Sequence, residues 1–304
     1  MTSTSFEIQT TSNPSILKFV ANDFLVNHES FEFKNIEEAQ SSPLAQKLFH
    51  FPFVKTIYIT QNLIAIEKYN ILEWEDVQDE VLDTIQSFIN EGGVIIQVTA
   101  KTKKTPVTVY AESTPNPGVL KFVANKKLVL QAVEYKSIDD AKASPLAQKL
   151  FHFPFVKEIF MDSNYISIQK YDIVEWEEVT HEIREFVKKF IESGETVIDQ
   201  SLVEENNTKE GESTPEMKAS FEELDDISQQ IVSILDEYVK PAVASDGGNI
   251  VFDSYDEQTK EVKVILQGAC SGCPSSTMTL KNGIETMLKD MLQGKVNHVV
   301  AING

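Results

Sequence analysis

The chain has 304 residues, a formal net charge of −20 and two cysteines. That charge argues against nucleic acid and anionic membrane surfaces as partners, because both are held through basic groups. Two cysteines make no secreted disulfide framework, while 41 % hydrophobic residues suffice for more than one compact core.

The first strand expected is Leu17 to Val20. Ile36 to Leu48 has a helical pattern interrupted near Pro43, and Thr56 to Glu67 is rich in β-branched and aromatic residues, as strands are. Trp74, Val77, Val81, Ile85 and Phe88 fall on one helical face that stops near Gly92. His50, inside Leu-Phe-His-Phe-Pro-Phe, reads as a packed histidine and Trp74 as a core anchor. The segment Thr99 to Pro106 is polar and ends in proline, which suits a solvated linker.

The same pattern then returns. Ser144 to Lys157 repeats Ser42 to Lys55 letter for letter, and Leu120 to Asn125 repeats Leu17 to Asn22. Trp176, Val179, Ile183, Phe186 and Phe190 restore the helical face, ending near Gly194. His152 and Trp176 take the readings of His50 and Trp74. A unit of about 90 residues is domain-sized, and two copies are too few for a solenoid. Each is expected to be a small α+β domain, over 5–97 and 108–199.

The stretch from Asp199 to Asp226 holds ten Asp or Glu against two Lys. Its core, 200–220, has little to bury and is expected to be a flexible acidic tether. The last domain, 221–304, opens with Ile227, Ile231, Ile234, Leu235 and Tyr238 on one helical face, ended by Pro241. Asp246-Gly-Gly248 is a turn, and Asn249 to Ser254 and Val262 to Leu266 form a hairpin closed by Asp256 to Lys260. A helix with Leu280, Ile284, Met287, Leu288 and Met291 on one face follows, then a strand from Val296 to Ile302. The order is αββαβ.

Between the hairpin and that helix lies Gln267-Gly-Ala-Cys-Ser-Gly-Cys-Pro-Ser-Ser276, with both cysteines, Cys270 and Cys273. A Cys-x-x-Cys pair is a redox dithiol or half of a soft-metal site, since iron–sulfur and structural zinc centres usually take four ligands. Pro274 suits a first helical turn, so Cys273 sits where backbone N–H groups favour a thiolate. Gly268 and Gly272 would let the backbone approach a cluster. Three chemistries compete. A thiol–disulfide oxidoreductase would need the helix to sit in a parallel βαβ core, whereas the preceding strands read as a hairpin. Intrachain zinc lacks ligands, because the nearest histidine, His298, is 25 residues from Cys273. A cluster shared by two chains, two thiolates each, fits the count. Two inert buried cysteines fit the surrounding Gly, Ser and Pro poorly. No Ser-His-Asp set, phosphate loop or hydrolytic carboxylate pair is present.

The segments Val239-Lys-Pro-Ala-Val-Ala-Ser-Asp-Gly-Gly-Asn249, Leu266-Gln-Gly-Ala-Cys-Ser-Gly-Cys-Pro-Ser-Ser-Thr277 and Leu280-Lys-Asn-Gly-Ile284 resemble the NifU-like (Nfu) iron–sulfur cluster scaffold and carrier family. The repeat, through Thr114-Pro-Asn-Pro117, Leu120-Lys-Phe122, Ser144-Pro-Leu-Ala147 and Val156-Lys157, is similar to that family's N-terminal domain. The resemblance implies a [4Fe–4S] cluster, or alternatively [2Fe–2S], held by Cys270 and Cys273 of two chains. It implies a homodimer when loaded, with apo iron–sulfur acceptors and upstream assembly proteins as partners. A carrier breaks no substrate bond, so no enzyme is expected. The N-terminal domain is doubled, and the first copy has Ser12-Asn-Pro14 where the family has Pro-Asn-Pro. The N-terminus lacks the basic start and apolar run of a signal peptide and the Arg-rich character of a transit peptide, and no stretch could span a bilayer, so the expected location is a reducing cytoplasm.

Overall fold

A computed structural model describes residues 4–26, 29–97, 106–199, 224–271 and 274–303. The chain divides into two compact units, Met1–Pro106 and Val107–Gly304. Of the two expected linkers, Thr99 to Pro106 and 200–220, everything but Pro106 lies outside the described residues.

The first unit is one repeat. Its strands β1 (Phe6–Thr10), β2 (Ile16–Ala21), β3 (Ser30–Phe33), β4 (Val54–Thr60) and β5 (Leu63–Lys68) form an antiparallel sheet in the order β1-β2-β5-β4-β3. Alternation along β2 turns Leu17, Phe19 and Ala21 inward and leaves Ile16, Lys18 and Val20 half-buried. Helices α1 (Pro43–Leu48) and α2 (Gln78–Asn90) cover the inner face, where Phe19, Ile57, Ile64, Leu44 and Ile85 are fully buried. The span Thr56 to Glu67 is two strands, turning at Gln61 with φ +46°. The interrupted helix before it is a 3₁₀ turn, Glu38–Ser41, then α1. Ser42 separates them in an extended conformation and caps α1, its Oγ accepting from Ala45 N–H at 3.1 Å and donating to Ile95 O at 2.7 Å. The edge strands β1 and β3 were not expected from the sequence. They are short and half-solvated, so their apolar period is weak.

The second unit begins with the same architecture. Strands β6 (Val109–Ser113), β7 (Val119–Ala124), β8 (Val133–Tyr135), β9 (Val156–Asp162) and β10 (Tyr165–Lys170) repeat the order as β6-β7-β10-β9-β8. Helices α3 (Pro145–Leu150) and α4 (Trp176–Ser193) cover one face. α4 is continuous, whereas in the first repeat a 3₁₀ turn, Trp74–Asp76, precedes α2. At the start of α4, Glu178 accepts from the Glu175 N–H at 3.4 Å. Gly194 ends α4 at φ +75°, and Gly92 follows α2 at φ +80°, as left-handed caps do. His50 and His152 are not packed. Each is exposed, its Nδ1 2.8 Å from a carbonyl one helical turn earlier, on Gln46 and Gln148. Trp74 is buried, while Trp176 is half-buried and donates to Pro117 O at 3.1 Å.

The C-terminal part of this unit runs α5 (Asp226–Ile234), a π turn (Leu235–Val239), α6 (Lys240–Ser245), β11 (Gly248–Asp256), β12 (Glu261–Gly268), α7 (Pro274–Met291) and β13 (His298–Asn303). The expected stop at Pro241 does not occur. The wider π turn precedes a proline that falls at the start of α6, where a missing N–H is tolerated, and the helix continues to Ser245. Tyr238 and Met291 are exposed, and Leu292 takes the core position expected of Met291. Ile231, Ile234, Leu235, Val264, Leu266, Ile284 and Leu288 fill this core. β11 and β12 pair antiparallel, as the hairpin reading required, but β13 pairs parallel to β12. The class is α+β throughout, with one parallel crossover.

Candidate functional site

The cysteine loop leaves β12 at Gly268 and enters α7 at Pro274. Gly272 and Cys273 lie outside the described residues; Cys270 is described. Its side chain is 8 % exposed and belongs to the same apolar cluster as Leu266 and Ile284. Burial, with Asp246 adding, pushes the thiol up to about 11, so this conformation holds it protonated. Backbone turns at Gly247 (φ +82°) and Gly268 (φ +62°) fold the loop down, with Ala269 N–H donating to Gly247 O at 3.1 Å. A Cβ on Gly248 would stand 2.6 Å from Cys270 Sγ, so only glycine leaves room for the sulfur there.

The thiol borders a cleft of about 460 Å³, lined by Pro115, Ala242, Val243, Asp246, Ala269, Thr279 and Leu280. The lining is largely apolar. A soft sulfur donor facing such a space suits a thiolate-held cluster better than a hard cation, which would seek several oxygens. Among the described residues, no three His, Cys, Asp or Glu side chains gather as a metal site. His298 is exposed at the start of β13, its Nδ1 3.9 Å from Glu285.

The backbone on either side of Cys270 is held by the outer sheet face of the second repeat. Ser167 Oγ donates to Gly247 O at 2.6 Å, and Tyr165 OH donates to Gly248 O at 3.0 Å. Lys121 Nζ donates to the carbonyls of Ala244 and Ser245 at 3.1 and 3.0 Å, at the C-terminal end of α6 where the helix dipole favours a cation. Glu134 accepts the Gly268 N–H at 2.8 Å, and Asn116 Nδ2 reaches Ala269 O and Ser271 O at 3.3 and 3.4 Å. Phe160 lies beneath Gly268, where a Cβ would come 2.7 Å from its ring. Gly268 is therefore used to approach the repeat. Burial raises Tyr165 far above the usual phenol range, with Asp162 and Cys270 adding, and burial likewise raises Glu134.

The repeated motif thus acquires two environments. In β2 of the first repeat only alternate residues are buried; in β7 all six are. Residues 231–300 match the family described as "NifU-like domain", and residues 6–92 and 109–194 each match "Scaffold protein Nfu/NifU N terminal". The chain belongs to the Nfu/NifU scaffold family. "NifU-like protein 4, mitochondrial" of Arabidopsis thaliana is 34 % identical over 59 % of this chain and 61 % of its own length. "NFU1 iron-sulfur cluster scaffold homolog, mitochondrial" of Drosophila willistoni is 35 % identical over 61 % of each, and its Homo sapiens namesake 31 % over 60 % and 66 %. The chain therefore spans just under two thirds of the length of these Nfu relatives. Of the residues around the loop, sequence reasoning found Cys270 and the glycines and missed the contacts from the repeat. The available signal was divergence between copies: Tyr165 and Ser167 stand where the first has Leu63 and Ala65.

Proposed function

We propose that this protein is an iron–sulfur cluster carrier in which Cys270 and Cys273 of two copies hold one [4Fe–4S] cluster as cargo and hand it to apo-proteins. One observation carries the reading: in a NifU-like domain, a cysteine thiol borders an apolar cleft and a second cysteine follows three residues on. Two thiolates per chain leave a four-ligand cluster half-satisfied, so a second copy supplies the rest. Coordination by iron supplies the deprotonation that burial opposes at Cys270. An acceptor's thiolates can replace the carrier's one at a time, so transfer needs no catalysed bond cleavage in a substrate and the protein is not an enzyme on this reading. A reducing compartment is required to keep both thiols available, and we place the protein in the cytoplasm on that ground. A fluorescent fusion of the full chain seen in any compartment other than the cytoplasm would overturn this placement.

Anaerobic native mass spectrometry of the full chain after reconstitution with iron and sulfide tests the proposal. The expected species is a dimer with one four-iron cluster. Cys270→Ser and Cys273→Ser should each lose it; full cluster content in either variant would remove that residue from the ligand set. A two-iron species would favour [2Fe–2S].

The parallel return of β13 beside β12 favours a second reading, because thiol–disulfide oxidoreductases also follow Cys-x-x-Cys with a helix and a parallel strand. The hairpin does not exclude it, as the sequence alone suggested. Against it, a thiol raised to about 11 is a poor nucleophile. Metal-free reduction of a disulfide substrate, with no mass gain on reconstitution, would decide for the dithiol enzyme.

A further inference from the structure

We infer that the outer sheet face of the second repeat is a docking surface for the chain's own cysteine loop, and that undocking must precede exchange of cargo with another protein. The inference rests on the carrier reading for its consequence, though not for the contact. Five side chains of the repeat, Asn116, Lys121, Glu134, Tyr165 and Ser167, hydrogen-bond backbone groups of residues 244–248 and 268–271. Four of them donate to carbonyls and one accepts from an N–H, so the face reads the path of the loop's main chain. Phe160, Val123 and Tyr165 form a separate apolar cluster on this face, with Phe160 fully buried. In the docked form Cys270 is 8 % exposed, packed among apolar residues of its own domain with Tyr165 of the repeat close enough to sense it, and a cluster bridging two chains needs its sulfur to face a second copy.

The duplication supplies the contrast. The first repeat keeps Asn13, Lys18, Val20 and Glu32 at the corresponding positions, but Leu63 and Ala65 stand in place of Tyr165 and Ser167, and Tyr58 in place of Phe160. It therefore lacks both hydroxyls that donate to Gly247 and Gly248. Asn13 is exposed where Asn116 is buried, and Lys18, Val20 and Tyr58 are half-buried where their counterparts are buried. The two copies have parted in role: the second covers the loop, and the first does not carry the residues to do so.

The test gives the second repeat the residues of the first. In the full-length, metal-free chain, Tyr165→Leu with Ser167→Ala should leave the sheet intact, because the first repeat folds with those residues. Losing two hydrogen bonds of ordinary strength should raise the rate of Cys270 alkylation about thirtyfold, read by peptide mass spectrometry. Hydrogen exchange at the Gly268 amide should quicken in parallel. Glu134→Ala, which removes a single acceptor on edge strand β8, should move both readouts the same way by a smaller factor. Wild-type alkylation and exchange rates in both variants, with unchanged circular dichroism, would overturn the inference. Neither readout uses a cluster, so failure of the chain to take up iron and sulfide would sink the carrier reading and leave this result standing.

Discussion

At the scale of single residues, short polar side chains and glycines fix the site's surroundings. Asp225 caps α5, its carboxylate accepting from Ile227 N–H at 2.9 Å, Ser228 N–H at 3.0 Å and Ser228 Oγ at 2.6 Å. The Ser228 hydroxyl and backbone N–H hold its pKa below the ordinary carboxylate value. A depressed folded-state pKa contributes stability above the unfolded value and loses it as pH falls through the folded one. Asp225→Ala should therefore destabilise the C-terminal domain by about 1 kcal/mol at neutral pH. In urea titrations across pH, the gap between variant and parent should close as pH falls below the usual aspartate range. A constant gap would mean the charge is irrelevant to the cap. Gly248 makes a different point. Its missing Cβ is the space Cys270 Sγ occupies, so Gly248→Ala should cost about 1–3 kcal/mol by overpacking. The same variant should lower cluster content on reconstitution, measured as iron per chain. Full retention of both would show that the loop yields cheaply.

At the scale of elements, the two repeats use identical words for identical structures. Ser144, fully buried, caps α3 by accepting from Ala147 N–H at 3.2 Å and donates to Val197 O at 2.8 Å, as Ser42 does toward Ala45 and Ile95. Ser144→Ala leaves a helix-end donor and a buried carbonyl unmatched and should cost about 1–2 kcal/mol by thermal or urea unfolding. A change below a few tenths would mean both groups find other partners. Strong periods were legible in the sequence: the inward face of β2, the apolar face of α4 and the hairpin β11–β12 all follow from spacing alone. Weak ones were not. Edge strands β1, β3, β6 and β8 are too short and too solvated to alternate clearly. The passage of the helix through Pro241 depended on a π turn that no local residue announces. The parallel partner of β12 was equally hidden, because strand direction is a long-range pairing.

At the scale of the whole molecule, acidity and duplication meet one buried thiol. Each repeat has its own apolar cluster, and that of the first is composed entirely of its own residues. The fragment Met1–Pro106 should therefore unfold as one cooperative transition by circular dichroism; a broad, non-cooperative melt would show that it needs the rest of the chain. Among the described residues no helix is long and apolar enough to cross a membrane.

The sequence by itself determined the two thiols, the loop that carries them, the doubling of an α+β unit and the family to which all three parts belong. These are matters of residue type, spacing and local period, and they survive translation into any larger arrangement. Only the tertiary structure decided that one of two near-identical sheets holds the backbone around Cys270. Both repeats present Lys-Phe-Val on the corresponding strand, and nothing in that motif says which outward face meets another domain. The outcome rests on two hydroxyls and a ring, Ser167, Tyr165 and Phe160, that act together only after β9 and β10 have set them side by side.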